Sequence, residues 1–283
     1  MSGIWYTEQW SPCTRFAIKV KKQLHSEKTP FQQIEVFESD DYGRFFSLDG
    51  YIMITQKDEF VYHDMIVHPA LATNPEIRSV LVIGGGDGGT VRELLRYKSI
   101  DKIDMVEIDE RVVRVCQEFF PETSCGLTDS RVNLMFADGL KYVKESKTIY
   151  DLIIVDSTDP IGPGEGLFSK EFYQNCFRIL SDAGILVNQN ESPYYEQNRL
   201  ELKRAYSKIK EFFPIALAYQ FHIPTYASGH WMFGFASKKL HPVKDAQLLE
   251  WETLGLKTDY YNTKVHIGAF ALPNYVLDIL HKE

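Results

Sequence analysis

The sequence has 283 residues, of which 44% are hydrophobic and 25% are charged, a composition typical of a globular protein and not of a disordered chain. Its formal net charge of -8 argues against a nucleic-acid partner, because binding phosphates requires a basic face. No apolar run approaches the ~18 residues of a membrane helix, and the start lacks the pattern of a signal peptide, so we expect a cytoplasmic protein with no membrane partner.

The N-terminal part is predicted to be rich in β-strands. Three short runs have the composition of strands: residues 33–38, 43–48 and 51–55. The Asp49-Gly50 pair between the last two is a typical hairpin turn. A helical pattern follows over residues 58–72, and Pro75 marks its end. We therefore predict a domain boundary here, with residues 1–75 forming a small β domain with a linking helix.

Residues 76–283 show a different pattern, in which strands and helices alternate. The predicted strands are residues 79–83, 103–108, 132–137, 151–155 and 185–189. The predicted helices are a short one near residue 91, then residues 111–120, 140–146, 170–180 and 196–212. Alternation of this kind produces a parallel sheet with helices on both of its faces.

The end of this series indicates which kind of parallel sheet is present. Strands are predicted at residues 215–221 and 231–236, and the gap between them is too short for a helical crossover, so this pair should be antiparallel. Such an antiparallel pair is typical of sheets that bind adenosylmethionine. We therefore predict an α/β fold: a doubly wound, adenosylmethionine-methyltransferase-like Rossmann sheet with C-terminal helices, preceded by the small N-terminal β domain.

A glycine-rich loop lies between the first strand of this sheet and the helix that follows. Residues 84–89 contain G-x-G-x-x-G, in which Gly84 and Gly86 permit a tight turn and a close approach of the backbone to a nucleoside ligand. The loop alone leaves a dinucleotide possible. Asp87 favours a cationic ligand instead, because its carboxylate would repel a pyrophosphate.

Acidic residues follow three further strands of the sheet. Glu107 ends the second strand, about 20 residues after the glycine loop, where a carboxylate accepts hydrogen bonds from ribose hydroxyls. Asp138 and Gly139 follow the third strand, and Asp156 and Asp159 follow the fourth. These carboxyl ends meet at one edge of the sheet, where open α/β folds bind their ligands. Crowded carboxylates repel one another unless cations neutralise them, so the pattern predicts a cationic substrate.

Two further features of the sequence can be explained by structure alone, without a functional role. The four cysteines show no C-x-x-C pair and no metal-ligand spacing, so we predict neither a metal site nor a prosthetic group. The glycine-rich residues 161–166 can be a mobile lid that closes over the site or a plain connecting loop, and the sequence favours neither.

Several of these segments together resemble the polyamine aminopropyltransferases, in particular the spermidine synthases. The matching segments cover nearly the whole chain: residues 27–32, 48–50, 58–65, 84–89, 106–109, 138–139, 156–163, 223–226 and 269–273. The run from Asp156 to Pro163 and the Tyr62-His63 pair are the most specific of them. Asp64 departs mildly from the family, where many members have Glu, and the variable segment around Glu191 leaves the role of that residue open.

The resemblance implies transfer of the aminopropyl group of decarboxylated S-adenosylmethionine to putrescine, giving spermidine and methylthioadenosine. The cofactor-binding residues it implies are Gln32, Gly84, Gly86, Asp87, Glu107, Asp138, Gly139 and Pro163. The substrate-binding residues it implies are Gln56, Tyr62, His63, Asp87, Asp156, Asp159 and Tyr226. Asp156 would be the catalytic residue that takes the proton from the attacking amine. The family also implies a homodimer or homotetramer.

The chemistry of the reaction agrees with this division of roles. A sulfonium is already an activated leaving group, so the enzyme has mainly to align nitrogen and carbon. A primary amine with a pKa of ~10.4 is mostly protonated at neutral pH. We therefore expect Asp159 to anchor one charged end of the diamine while Asp156 accepts the proton from the reacting end.

Two other functions are compatible with part of the pattern. An N-methyltransferase for diamines needs the same fold, but Asp87 would repel the carboxylate of intact S-adenosylmethionine. A polyamine-binding protein without activity needs no base at the reacting nitrogen, and the presence of both Asp156 and Asp159 argues against it.

Overall fold

The N-terminal residues form two small antiparallel sheets in the computed structural model, which describes residues 3–158 and 162–281. The strands are β1 (Ile4–Ser11), β2 (Thr14–Val20), β3 (Lys22–Lys28), β4 (Gln33–Ser39), β5 (Gly43–Leu48) and β6 (Tyr51–Thr55). β1 pairs with β2, and the other four form a sheet in the order β3-β4-β5-β6. The three strands that the sequence predicts, β4 to β6, are confirmed.

A buried helix, α1 (Glu59–Thr73), leads from β6 to a third and larger sheet. Almost every one of its side chains is buried, because it packs between the large sheet and the helices α2 (Gly89–Leu95) and α8 (Leu248–Thr253). Asn74 ends α1, one position before the predicted Pro75. A helix that is enclosed on all sides can hold polar side chains only where they find partners, and this becomes important at the site below.

The described part of the chain forms one further sheet of seven strands. In chain order these strands are β7 (Ser79–Gly84), β8 (Lys102–Glu107), β9 (Val132–Phe136), β10 (Tyr150–Asp156), β11 (Leu180–Gln189), β12 (Ile215–His222) and β13 (His230–Ser237). Their order across the sheet is β12-β13-β11-β10-β7-β8-β9. The remaining helices are α3 (Glu110–Phe119), α4 (Pro121–Ser124), α5 (Gly139–Glu145), α6 (Lys170–Ile179), α7 (Glu196–Lys210), α9 (Thr263–Ala269) and α10 (Asn274–His281). The doubly wound Rossmann-like fold is thus confirmed.

The last two strands are antiparallel to each other, as predicted. The structure adds that β13 lies between β11 and β12 and is antiparallel to both, so that the edge strand β12 runs in the direction of the parallel strands. Gly234 in β13 has no room for a side chain, since a Cβ there would lie 2.2 Å from Asn188 Oδ1 of β11.

The sheet separates two apolar cores. In one core, side chains of α1 such as Met65 pack against side chains of the sheet such as Val82. In the other, side chains of α6 such as Phe172 pack against side chains of the sheet such as Ile153. β7 lies in the middle of the five strands β11-β10-β7-β8-β9, where the order of the parallel strands reverses, and open α/β sheets bind ligands at such a point. Among the described residues no helix combines the length and the apolar character required to cross a bilayer.

Candidate functional site

The glycine loop forms a tight turn against the end of β10. Gly84 has a φ of +81°, and a Cβ there would lie 2.1 Å from the carbonyl oxygen of Asp156, so only glycine fits. The N–H of Gly85 donates to the same carbonyl at 2.7 Å. A Cβ on Gly86 would lie 2.7 Å from Val112 and 3.2 Å from Glu107 Oε2. The loop therefore brings its backbone against the ends of the neighbouring strands.

One cavity opens at this edge and brings together most of the predicted site residues. Its wall includes Gln32, Tyr62, His63, Gly84, Gly86, Asp87, Glu107, Asp138, Gly139, Asp156 and Tyr226. These residues come from the turn before β4, from α1, from the carboxyl ends of the strands β7 to β10 with the segments that follow them, and from the loop before β13. The convergence at the carboxyl edge that the sequence predicts is therefore found in the fold.

Asp156 lies on the inner wall of the cavity and is held by two hydroxyls. Tyr62 donates to its Oδ1 at 2.7 Å, and Thr90 donates to its Oδ2 at 2.7 Å. Burial and then the nearby charge of Asp87 raise the pKa of Asp156, whereas His63, Thr90 and Tyr62 lower it. Burial, followed by the charge of Asp156, also raises the pKa of Tyr62 well above its usual value, so the phenol remains a donor. The carboxylate is thus oriented and more basic than an exposed aspartate.

His63 is fully buried beside the cavity and lies between two carboxylates. Its Nε2 is 3.1 Å from Asp87 Oδ1, and its Nδ1 is 2.5 Å from Glu59 Oε2. Burial alone lowers the pKa of an imidazole, but Asp87 and Glu59 outweigh it and raise the pKa of His63 to about 10. His63 is therefore a cation at neutral pH.

Glu107 is 7% exposed and faces the glycine loop at the end of β8. Its Oε1 accepts a hydrogen bond from the N–H of Asp109 at 2.8 Å. Burial is the main reason that the pKa of Glu107 is raised to about 7. Asp109 caps α3 by accepting from the N–H of Arg111, and Gln32 donates to it at 3.1 Å. The arrangement makes a deep carboxylate with polar neighbours available to a sugar hydroxyl.

Aromatic side chains form the other end of the cavity. Tyr226 packs against Tyr62 at 6.0 Å and against Trp231 at 5.0 Å between ring centroids, and its hydroxyl donates to the carbonyl of Met53. Trp10 from β1 packs edge-on against Trp231, and its Nε1 donates to Glu8 Oε2 at 2.7 Å. Aromatic faces attract ammonium groups, so this end is suited to a cationic chain.

Comparison with known proteins decides the family. Residues 59–246 match the model of the spermine/spermidine synthase domain, and residues 4–56 match that of the spermidine synthase tetramerisation domain. The chain is 62% identical over 278 residues to the polyamine aminopropyltransferase of Clostridium beijerinckii, covering 98% of both chains. It is 63% identical over 284 residues to that of Clostridium acetobutylicum, covering 100% of this chain and 99% of the relative.

The chain belongs to the spermine/spermidine synthase family.

Solved members of this transferase family share the fold over almost the whole chain. A spermidine synthase crystallised in complex with the transition state analogue AdoDATO is 39% identical and superposes with a TM-score of 0.95, covering 98% of this chain and 94% of the other. The spermidine synthase of Thermotoga maritima is 37% identical, with a TM-score of 0.92 and the same two coverages. The family expectation from the sequence is therefore confirmed.

Gln56 does not lie in the cavity with the other predicted site residues. Its side chain is exposed and lies at the far end of β6, where its Oε1 accepts from the N–H of Arg44 at 2.7 Å and its amide nitrogen pairs with Glu122. The prediction that Gln56 binds substrate is thus not supported, because its polar atoms are committed away from the cavity. Asp159 lies outside the described residues. Pro163 lies in the short 3-10 helix Gly162–Phe168, which contributes Gly164 and Leu167 to the cavity wall.

The carboxylates and His63 also have the composition of a metal site. Ligand atoms of His63, Asp87 and Asp156 lie within 4.8 Å of one another, and a second group in the described chain contains Asp64, His68 and Glu93. An imidazole must be deprotonated to bind a metal, whereas both nitrogens of His63 face carboxylates and its pKa is about 10. The first group therefore suits a set of ion pairs better than a metal.

Sequence reasoning missed Trp10, Trp231, Thr90 and Glu59. Trp10 lies in a strand that was not predicted, and no local pattern links it to Trp231. Glu59 precedes His63 by one helical turn, and this i, i+4 spacing was the available signal. Thr90 follows the glycine loop directly, so its approach to Asp156 could be expected only from the turn geometry.

Proposed function

We propose that this chain is a spermidine synthase, which transfers the aminopropyl group of decarboxylated S-adenosylmethionine to putrescine. The observation that carries the proposal is the placement of Asp156, held by Tyr62 and Thr90, within 4.8 Å of Asp87 and His63 at the mouth of a glycine loop. In a family of aminopropyltransferases, such a buried base beside a second carboxylate suits a cationic amine that must lose a proton.

The reaction is a displacement at carbon. The lone pair of the amine attacks the methylene next to the sulfonium, the carbon–sulfur bond breaks, and its electron pair remains on sulfur in methylthioadenosine. The reacting nitrogen arrives as an ammonium with no lone pair, and Asp156 accepts the proton that it must lose in order to attack. The raised pKa of Asp156, caused first by burial and then by Asp87, makes it a better acceptor near neutral pH.

The cofactor is proposed to bind along the glycine loop. Glu107 accepts the ribose hydroxyls, Asp138 and Gly139 border the adenine, and Gln32 and Pro163 complete the nucleoside site. Asp87 faces the ammonium of the aminopropyl group. All of these residues except Pro163 line the cavity, and the AdoDATO complex of the related spermidine synthase also supports the assignment.

The diamine is proposed to bind against the aromatic end of the cavity. Tyr62 and Tyr226 flank its chain, Asp159 anchors its distant ammonium, and His63 orients Asp87. Trp10 and Trp231, which line the same wall, add aromatic faces for the cation. Putrescine is the preferred acceptor in this proposal, with cadaverine, agmatine and spermidine as competitors.

A product assay by mass spectrometry tests the function. The full chain receives putrescine with either decarboxylated or intact S-adenosylmethionine, and the other acceptors are offered in parallel. Spermidine and methylthioadenosine should form from the decarboxylated cofactor only. Asp182→Asn, which changes an exposed side chain far from the cavity, serves as the control and should turn over normally. Methylated diamine from the intact cofactor, or no product from any pair, contradicts the proposal.

The cytoplasmic enzyme is further proposed to be a homodimer or homotetramer assembled through its N-terminal strands. Residues 4–56 match the tetramerisation domain model, and Ile4 and Trp5 of β1 are 70% and 58% exposed in the single chain. Apolar exposure of this kind favours contact with another copy. Light scattering on the wild type and on Trp5→Ser tests this, and a wild-type chain that remains monomeric at micromolar concentration contradicts it.

A further inference from the structure

A line of alternating charges runs from the cavity into the space between α1 and α2. Asp87 faces His63 at 3.1 Å, and His63 faces Glu59 at 2.5 Å. Arg92 of α2 then donates to both oxygens of Glu59, at 2.8 and 3.0 Å. The side chains of His63, Glu59 and Arg92 are only 0%, 11% and 20% exposed. Each charge is therefore shielded from water and depends on its neighbours.

Glu59 and Arg92 do not line the cavity, and His63 is the cavity residue to which Glu59 is hydrogen-bonded. The imidazole has little freedom, because a Cβ on Gly89 would lie 2.2 Å from its Cε1. Glu59 fixes one ring nitrogen, and the other lies 3.1 Å from Asp87 Oδ1 as an ion pair without the alignment of a hydrogen bond. The ring is thus a rigid connection between the helix pair and the carboxylates of the cavity.

We propose that Glu59, held by Arg92, is a positioning residue that keeps His63 charged and beside Asp87, and thereby keeps Asp156 ionised for the incoming amine. This role rests on the aminopropyl transfer proposed above. Two buried carboxylates this close retain a proton between them unless a cation offsets their repulsion. A proton on Asp156 would prevent it from accepting the proton of the amine.

The charges around His63 all come from identified elements. Glu59 faces it from α1, Asp87 from the glycine loop and Asp156 from β10, while Arg92 lies behind Glu59 and also donates to Glu93 at 3.0 Å. Burial alone would raise the pKa of Glu59, but His63 and Arg92 lower it to about 2. Glu59 is therefore an anion throughout the range in which the enzyme is assayed.

Two substitutions that break the same ion pair distinguish this role from simple packing. Glu59→Gln removes the anion and leaves the cation of Arg92 near His63. Arg92→Gln leaves the anion of Glu59 in place. If the pair only stabilises the fold, both changes have similar effects. If Glu59 keeps His63 charged, only Glu59→Gln lowers the pKa of His63, and the double variant Glu59→Gln/Arg92→Gln lowers it less than Glu59→Gln alone.

The measurement is an NMR titration of the full chain with histidine labelled with ¹³C at Cε1. The His63 signal is assigned by its loss in His63→Asn. In the wild type it should remain that of an imidazolium to above pH 9, given its pKa of about 10. In Glu59→Gln the midpoint should fall by at least about one pH unit, as expected when one opposing charge is removed. Glu110→Gln, which breaks the exposed pair with Arg114, is the matched control.

Turnover provides the second readout. The acidic limb of the kcat/KM profile should move to higher pH by about one pH unit in Glu59→Gln and should not move in Arg92→Gln. An unchanged His63 midpoint in Glu59→Gln, or equal shifts in the two single variants, overturns the proposal. If Glu59→Gln does not fold, the double variant gives the same test without a buried Arg92 cation that has lost its Glu59 partner. The titration needs no substrate, so a wild type that lacks aminopropyl transfer refutes the proposed function separately.

Discussion

Replacing Glu107 with glutamine should make the ligand-free protein more stable and its nucleoside site weaker. The carboxylate is 7% exposed, and its pKa is raised from the usual 4.5 to about 7, mainly by burial. A carboxyl group with a raised pKa costs the folded state free energy whenever it is ionised. The cost is absent below pH 4.5, grows between pH 4.5 and about 7, and is complete above that value.

The magnitude follows from the two pKa values. Each pH unit of difference is worth about 1.4 kcal/mol. The rise from 4.5 to about 7 therefore corresponds to about 3 kcal/mol of stability lost at pH 8. The substituted amide carries no charge, and its oxygen can still accept the hydrogen bond from the N–H of Asp109. The Glu107→Gln variant should recover up to about 3 kcal/mol at pH 8 and almost none at pH 4.5.

Urea unfolding at fixed chain concentration measures this difference, at pH 8 and at pH 4.5. Glu118→Gln, which changes an exposed carboxylate on α3, is the control and should behave as the wild type at both values. The nucleoside site is measured with methylthioadenosine. The Glu107→Gln variant should bind it about 10- to 100-fold more weakly, because hydrogen bonds to a charged acceptor are worth about 1.5–3 kcal/mol.

The pH dependence of nucleoside binding checks independently that the pKa of Glu107 is raised. In the proposed assignment the ribose hydroxyls donate to the ionised form of Glu107, so wild-type affinity for methylthioadenosine should increase as the pH rises through about 7. The affinity of Glu107→Gln should show no such step. A variant that is no more stable than the wild type at pH 8, or that binds the nucleoside equally well, refutes the reasoning.

Three other substitutions test other parts of the site. Asp156→Asn should lower turnover about 10²- to 10⁴-fold with an unchanged Kd for methylthioadenosine, and full activity would remove Asp156 as the base. Gly89→Ala should displace His63, since the new Cβ at position 89 would lie 2.2 Å from the imidazole ring. Calorimetry should show a lower Tm for this variant, and a wild-type Tm with normal turnover would contradict the expectation. Asp58→Ala leaves the N–H and hydroxyl of Thr225 without their buried acceptor. The free energy of unfolding in urea should fall by about 1–3 kcal/mol, and an unchanged midpoint would contradict a stabilising role for these hydrogen bonds.

The sequence predicts the larger sheet well because its central strands, such as β7 and β10, are mainly apolar and buried on both faces. β5 and β6 were predicted with their observed bounds, since the Asp49-Gly50 turn fixes the hairpin. β1, β2 and β3 were not predicted. Many of their side chains are exposed and polar, so their pairing depends on partner strands and gives little local signal.

The site was predicted where function follows the topology of the sheet. Asp87, Glu107 and Asp156 come together because parallel strands end at one edge. Gln56, which the resemblance implied, does not lie with them, because its side chain pairs with the N–H of Arg44 and with Glu122. The pairing of Glu59 with Arg92 depends on how α1 packs against α2, and no spacing within the sequence encodes that contact.

The position of β13 between β11 and β12 has a consequence for biosynthesis. A ribosome produces β11 long before β13, so the hydrogen-bonding edge of β11 stays uncovered until Ser237 has emerged. Gln189 at the end of that edge and Trp231 of β13 both line the cavity. The nascent chain therefore carries an unpaired, apolar strand edge, which is a hazard for aggregation, and it cannot complete its substrate wall until more than four-fifths of the protein has been made.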